Sequence, residues 1–434
     1  MRVHRNRRSR ECRSTAGAIV LVLAMHAAPA AAQSDSTWRD HERALQAARE
    51  ANDTVNYRAQ LDAEYKAIGA TPRIANRYAA LALGARDSVG ASRWMGDLAA
   101  MGDDLDTGLV SRFGALAGAR AAESLRAAHA LATRDEGAPL LVARLPDPDM
   151  ILEDLAYDAH GARFLVSSVH RGGIYAIANG RTTTFVKPGA DGSWGIFALG
   201  LDAARHSLWA TTAALPMAAR YSAADSGRSA LLQYDSRTGA LRRRYVAPDS
   251  GAHVLGDLVI GNDGAVYVSD GLGSGVYTLR PGRDSLALLV PRGVFRSPQT
   301  PALSSDGATL FVPDYSIGIA AVDIASGRVT WITHADSLAL AGIDGMYRIG
   351  DDLIVVQNGL EPNRIMRLTL DPSMRRVVRA TTLARGAGAS SLTHAHLESG
   401  WLYFITKSGW ERTADDGSMT TAVAVDAPTI MRVR

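Results

Sequence analysis

One segment returns six times between Leu152 and the end of the chain, and no other feature restricts the possible fold as strongly. The copies are "LEDLAYDAHGARFLVSSV" from Leu152, "IFALGLDAARHSLWATT" from Ile196, "GDLVIGNDGAVYVSD" from Gly256, "QTPALSSDGATLFVPD" from Gln299, "DGMYRIGDDLIVVQNG" from Asp344 and "THAHLESGWLYFITKS" from Thr393. Each has an apolar strand, a turn rich in Gly or Asp, and a second strand ending in small polar residues. A third strand follows, as in "GGIYAI", "GVYTLR" and "RIMRLTL". A repeat of roughly 40 to 50 residues suits one four-stranded blade. The sequence therefore predicts a mainly β chain, with a six-bladed β-propeller over residues 137–434. A β-sandwich does not explain the six-fold recurrence. The last copy ends on a third strand, so "APLLVARL" from Ala138 is expected to supply the outer strand that closes the ring.

Ahead of the propeller the period is helical. Tyr57, Leu61 and Tyr65 recur every four residues, preceded by Asp53 and Thr54 as cap residues and stopped by Gly69. Thr71-Pro72 opens a second helix with Ile74, Tyr78 and Leu81 on one face. Ser88 opens a third, with Ala91, Trp94 and Leu98 inward, ending near Gly102. Residues 33–136 are thus a small α-helical domain. Its helix pairs with small residues at the crossings resemble degenerate tetratricopeptide repeats; a plain helical bundle fits equally.

Residues 1–32 read as a signal peptide. Arg2, Arg5, Arg7, Arg8, Arg10 and Arg13 form a basic segment, Ala16 to Ala28 is apolar, and Ala30-Ala31-Ala32-Gln33 offers a cleavage site. The expected location is periplasmic or secreted. This segment also distorts the charge balance. The whole chain carries +3, but these residues hold six Arg against one Glu, so the remainder carries −2. That is no footprint for nucleic acid. Cys12, the single cysteine, lies there too. The mature chain therefore has no disulfide, thiolate metal site or cysteine nucleophile, and no apolar run long enough to span a membrane.

Aligning the copies on their strand–turn–strand core places one residue per blade at the tunnel mouth: Glu153, Phe197, Gly256, Gln299, Asp344 and Thr393. The next residues are Asp154, Ala198, Asp257, Thr300, Gly345 and His394. Oxygens gathered on one axis suit a hard cation, Ca²⁺ above all. Carboxylates so close require either a cation or a raised pKa.

"LEDLAYDAHGARFLVSSVHRGGIYAI", "SPQTPALSSDGATLFVPDYSIGIAAVDIASG" and "GIDGMYRIGDDLIVVQNG" resemble the senescence marker protein / gluconolactonase family, also called regucalcin-like. The resemblance implies a six-bladed propeller with a divalent cation (Ca²⁺, or else Zn²⁺ or Mn²⁺) in the tunnel and hydrolysis of lactones or related esters. Carried over, Glu153 and Asp344, the latter in Asp344-Gly345-Met346, would hold the cation with Gln299 as third ligand. Asp257 would be the most exposed candidate base, pointing by strand alternation to the other face of its blade. Gln299 stands where the family has Asn, and Gly256 offers no side chain at the remaining ligand position.

Other patterns carry weaker chemistry. His394, His396 and Glu398 alternate and could bind zinc, and His170-Arg171 could meet an anion. Gly271 to Gly275 reads as a blade turn, and the loop from Leu215 to Arg228 as a cap over one mouth or a mobile insertion. The expected partner is a small molecule at the tunnel mouth, with no nucleic acid. The alternative is a non-enzymatic propeller that binds a ligand, or a protein through its helical domain.

Overall fold

The computed structural model describes residues 38–414, 416–420 and 426–434. The expected signal peptide, 1–32, lies outside them. Six helices occur among the described residues: α1 (Trp38–Glu50), α2 (Thr54–Ile68), α3 (Pro72–Gly84), α4 (Ser88–Met101), α5 (Thr107–Ala117) and α6 (Ala119–Thr133). Their starts follow the capping rule that a short polar side chain satisfies an orphan N–H. Asp53 accepts from the Asn56 N–H, Thr71 from Ile74 with Pro72 in the first turn, Asp87 from Gly90 and Asp106 from Leu109. Gly102 ends α4 in the left-handed conformation (φ 71°), which a residue without Cβ adopts most readily. Consecutive helices pack as pairs, and α4 also packs on α6.

The helices and the propeller share one core. Leu61, Ile74, Tyr78, Trp94 and Leu98 are buried together with Ile317, Ala339 and Leu360 of the propeller. Polar links reinforce the seam. The Trp38 indole N–H donates to the Val294 carbonyl at 2.8 Å, and the Tyr65 hydroxyl and Arg93 guanidinium both reach the Asp336 carboxylate. The Arg364 guanidinium donates to the Met101 carbonyl at the end of α4 at 2.7 Å.

Residues from Leu140 onward form six four-stranded antiparallel sheets arranged as propeller blades. Five blades take their strands in chain order. The sixth runs Ala395–Glu398, Trp401–Thr406, Thr429–Val433 and finally Leu140–Arg144, which pairs with the third of these as its outer strand. The closure expected from "APLLVARL" is therefore present. Apolar side chains fill the spaces between neighbouring blades, as with Leu199, Leu208 and Tyr234 between the first and second. Burial on both faces explains why second and third strands read as near-continuous apolar runs.

Candidate functional site

The axis is lined by the first strand of each blade, and four of these strands break register at one level. The irregularities fall between Leu152 and Leu155, Ile196 and Leu199, Leu255 and Asp257, and Ile343 and Gly345. A bulge inserts a residue and defeats the two-residue alternation of side chains. Adjacent residues such as Glu153 and Asp154 consequently both serve the axis, and the carboxylates form two layers.

The deeper layer centres on His394, which is 1 % exposed. Its Nε2 stands 3.1 Å from Asp257 Oδ1 and 3.6 Å from Asp344 Oδ1, and its Nδ1 stands 3.6 Å from Asp154 Oδ1. Each of these carboxylates is pinned by neutral donors. The Thr300 hydroxyl donates to Asp257 at 2.9 Å, and the Leu155 and Leu199 N–H groups donate to the two oxygens of Asp154, each at 2.7 Å. The Tyr347 hydroxyl closes the layer by accepting the Ala395 N–H at 2.6 Å. Burial opposes charge on His394, but Asp257, Tyr347 and Asp154 outweigh it and hold the imidazole well above its ordinary pKa. Burial pushes Asp257 up to about 7, with His394 pulling it down and Asp344 pushing it further up.

The outer layer opens into a cavity of about 420 Å³ lined by Glu153, Asp344, Tyr315, Asn358, Thr393 and Trp410. The Trp410 indole donates to Glu153 Oε2 at 2.6 Å. The Asn358 amide donates to Asp344 Oδ2 at 2.7 Å, and its oxygen accepts the Tyr315 hydroxyl at 3.0 Å. Burial raises Glu153 to about 8; His394 works against this and Asp344 adds to it. The Tyr315 phenol is also raised, by burial and then by Asp344 and Glu153, so it remains a proton donor. One carboxyl that holds its proton at neutral pH thus shares a cavity with one fixed by an amide.

Glu153 and Asp344, chosen from the sequence, are thereby brought together. Asp257 is not the most exposed base: it is 4 % exposed, and the register shift beside Gly256 turns it toward His394 rather than to the far face of its blade. Gln299 does not join the pair. Its amide donates to the Ser297 hydroxyl at 2.9 Å and lies outside the cavity lining. At Gly256 a Cβ would meet nothing nearer than the Val254 carbonyl at 3.9 Å, so the position expected to supply a ligand is open space. Among the described residues no group of three His, Cys, Asp or Glu side chains has the arrangement of a metal site. The donor set therefore does not fit a Ca²⁺ shell of six to eight oxygens, and an imidazole already stands among the carboxylates that would complete it.

The weaker patterns resolve differently. His394 lies in the buried layer, whereas His396 lines a cavity of about 580 Å³ with Tyr347, Asn262 and Asp306, and shares another of about 550 Å³ with Glu398, Tyr157 and His206. The three alternating residues thus do not converge. His170 Nδ1 pairs with the Met217 carbonyl at 2.6 Å, and Arg171 pairs with Asp147 at 2.9 Å. The loop from Leu215 to Arg228 packs through Met217 against Phe197, with Trp410 beside them. Gly271 to Gly275 is the turn between the strands Val266–Asp270 and Gly275–Leu279, as expected. Asn358, Tyr315 and Trp410 escaped the sequence alignment. The signal for Asn358 was the small polar residues that end second strands, since it directly follows Asp352–Gln357; Tyr315 likewise follows Thr309–Asp314, whereas Trp410 lies in the short turn Trp410–Arg412.

No protein-family model matches the chain, and no curated protein matches it, so the resemblance seen in the blade motifs is not confirmed by sequence. Solved structures similar to it include a gluconolactonase from Xanthomonas campestris (14% identity, 69% of this chain and 98% of that one, TM-score 0.45). Others are a PQQ-bound aldose sugar dehydrogenase from Streptomyces coelicolor (16%, 70% and 98%, TM-score 0.47) and a virginiamycin B lyase from Staphylococcus aureus (13%, 69% and 99%, TM-score 0.47).

Proposed function

We propose that this chain is an exported hydrolase of lactones or related cyclic esters that works by acid–base catalysis from the tunnel-mouth cavity. The observation that carries the reading is the Glu153/Asp344 pair on one cavity, with Glu153 raised to about 8. Two carboxyl groups in unlike surroundings supply the acid and the base that ester hydrolysis requires. The basic and apolar residues 1–32 support export.

In the proposed reaction Asp344 accepts a proton from water as the oxygen attacks the carbonyl carbon. Glu153, held by the Trp410 indole, gives its proton to the carbonyl oxygen where negative charge develops. The tetrahedral intermediate then collapses: its hydroxyl returns the proton to Glu153, the ring C–O bond breaks, and the ring oxygen takes the proton held by Asp344. The product is the open hydroxy acid. Since the donor set does not assemble a cation shell, no step passes through a metal.

The test is to follow acid release from a panel of five- and six-membered lactones, using the purified chain from Gln33 with and without chelator. Turnover that resists chelation and is lost in Glu153→Gln supports the reading. Lactone binding without turnover would instead identify a non-enzymatic ligand-binding scaffold.

A further inference from the structure

We propose that His394 is the built-in cation of this propeller's axis, standing where a divalent metal would otherwise neutralise the converging carboxylates.

Three observations lead there independently of whether the cavity turns over a lactone. First, three carboxylates from three blades approach one imidazole within 3.1 to 3.6 Å, each with one oxygen on the ring. Carboxylates converging in a buried space repel unless something positive lies between them. Among the described residues, no Lys or Arg pairs with Asp154, Asp257 or Asp344; the remaining groups around the ring are Glu153, Tyr347 and Thr300. Second, His394 Nδ1 is buried without a hydrogen-bond partner, its nearest carboxylate oxygen 3.6 Å away. A neutral ring gains nothing from that position, whereas an imidazolium is attracted to carboxylates on both sides. Third, the backbone holds the ring in place from two blades: the His394 N–H donates to the Glu153 carbonyl at 3.1 Å, and its carbonyl accepts from Ile405. The residue is fixed at the seam between the last blade and the first.

The charge arithmetic also accounts for the missing ligands. With a cation already supplied by the chain, no side chain is needed at the Gly256 position, and Gln299 is released to bond Ser297.

The experiment is calorimetric titration of the chain from Gln33 with CaCl₂ and MnCl₂, comparing wild type, His394→Ala, His394→Gln and His394→Lys. Wild type and the Lys variant should bind neither ion. The Ala variant, which leaves the three carboxylates without a cation, should melt below the Lys variant at pH 7. In parallel, ¹⁵N-histidine spectra of the wild type at pH 7 should show His394 with both ring nitrogens protonated. Stoichiometric binding by the wild type, a neutral ring at pH 7, or an Ala variant as stable as the Lys variant would each overturn the proposal. Should the Ala variant not fold, the Gln variant takes its place, and the ring's protonation in the wild type decides if neither folds.

Discussion

Glu153 and Asp154 are neighbours in one strand, as are Thr393 and His394, yet they belong to two layers of the axis with opposite characters. Glu153 and Thr393 face a cavity open to small molecules. Asp154 and His394 face each other in a nearly closed interior. On the proposed reading the same functional group, a carboxylate, takes a chemical role in the first layer and a structural one in the second. What stands opposite decides which: an indole and empty volume for Glu153, an imidazole and backbone donors for Asp154. Titratable groups acquire their roles from surroundings rather than from residue type.

The sharpest way to break this contrast is to remove the imidazole. His394→Leu leaves Asp154, Asp257 and Asp344 buried without a positive partner. Measured by urea unfolding in the absence of divalent cations, it should cost about 3–5 kcal/mol, the range for breaking one side of a buried pair. The outer layer should behave in the opposite sense. Glu153→Gln keeps an acceptor for the Trp410 indole and keeps the neutral charge that Glu153 holds below about pH 8. Its melting temperature should stay near wild type while steady-state lactone turnover falls about 10²- to 10⁴-fold, the usual contribution of a positioned acid. An equal loss of stability in both variants would erase the distinction between the layers.

Asn358→Ala addresses the boundary between them, because its amide holds Asp344 at 2.7 Å while Asp344 also reaches toward His394. Loss of a hydrogen bond to a charged group should cost about 1.5–3 kcal/mol by denaturant titration. Stability should also depend on pH. Glu153 and Asp257 have folded pKa values raised to about 8 and about 7, so the folded chain binds protons that the unfolded chain releases near pH 4. His394, raised above its ordinary value, acts in the same direction. Where the native state binds more protons, stability declines as pH rises. Differential scanning calorimetry should therefore show the melting temperature falling between about pH 5 and pH 8, with a shallower slope in Glu153→Gln.

Much of the fold could be read from residues because repetition and capping are local signals. Six copies of one strand pattern, Thr71-Pro72 opening α3 and Gly102 ending α4 each have one structural reading. Glu153 and Asp344 were legible because matching copies puts equivalent positions at one level of the axis. His394 as the centre of a cluster was not, since alternation assigns neighbouring residues to opposite faces and a bulge cancels that rule without marking the sequence. Trp410 comes from a short helical turn outside the repeat, so no alignment of blades would have found it.

The strand that completes the last blade, Leu140–Arg144, precedes every other strand of the propeller, while its partner, Thr429–Val433, follows every other one. A ribosome delivers these two segments at opposite ends of synthesis. Until the second arrives, Leu140 and Leu141 wait with an unpaired edge, the kind of surface that recruits foreign strands. Ring closure is therefore a checkpoint on completeness. A chain truncated before Thr429 would leave Leu140–Arg144 without its partner strand and the annulus unsealed.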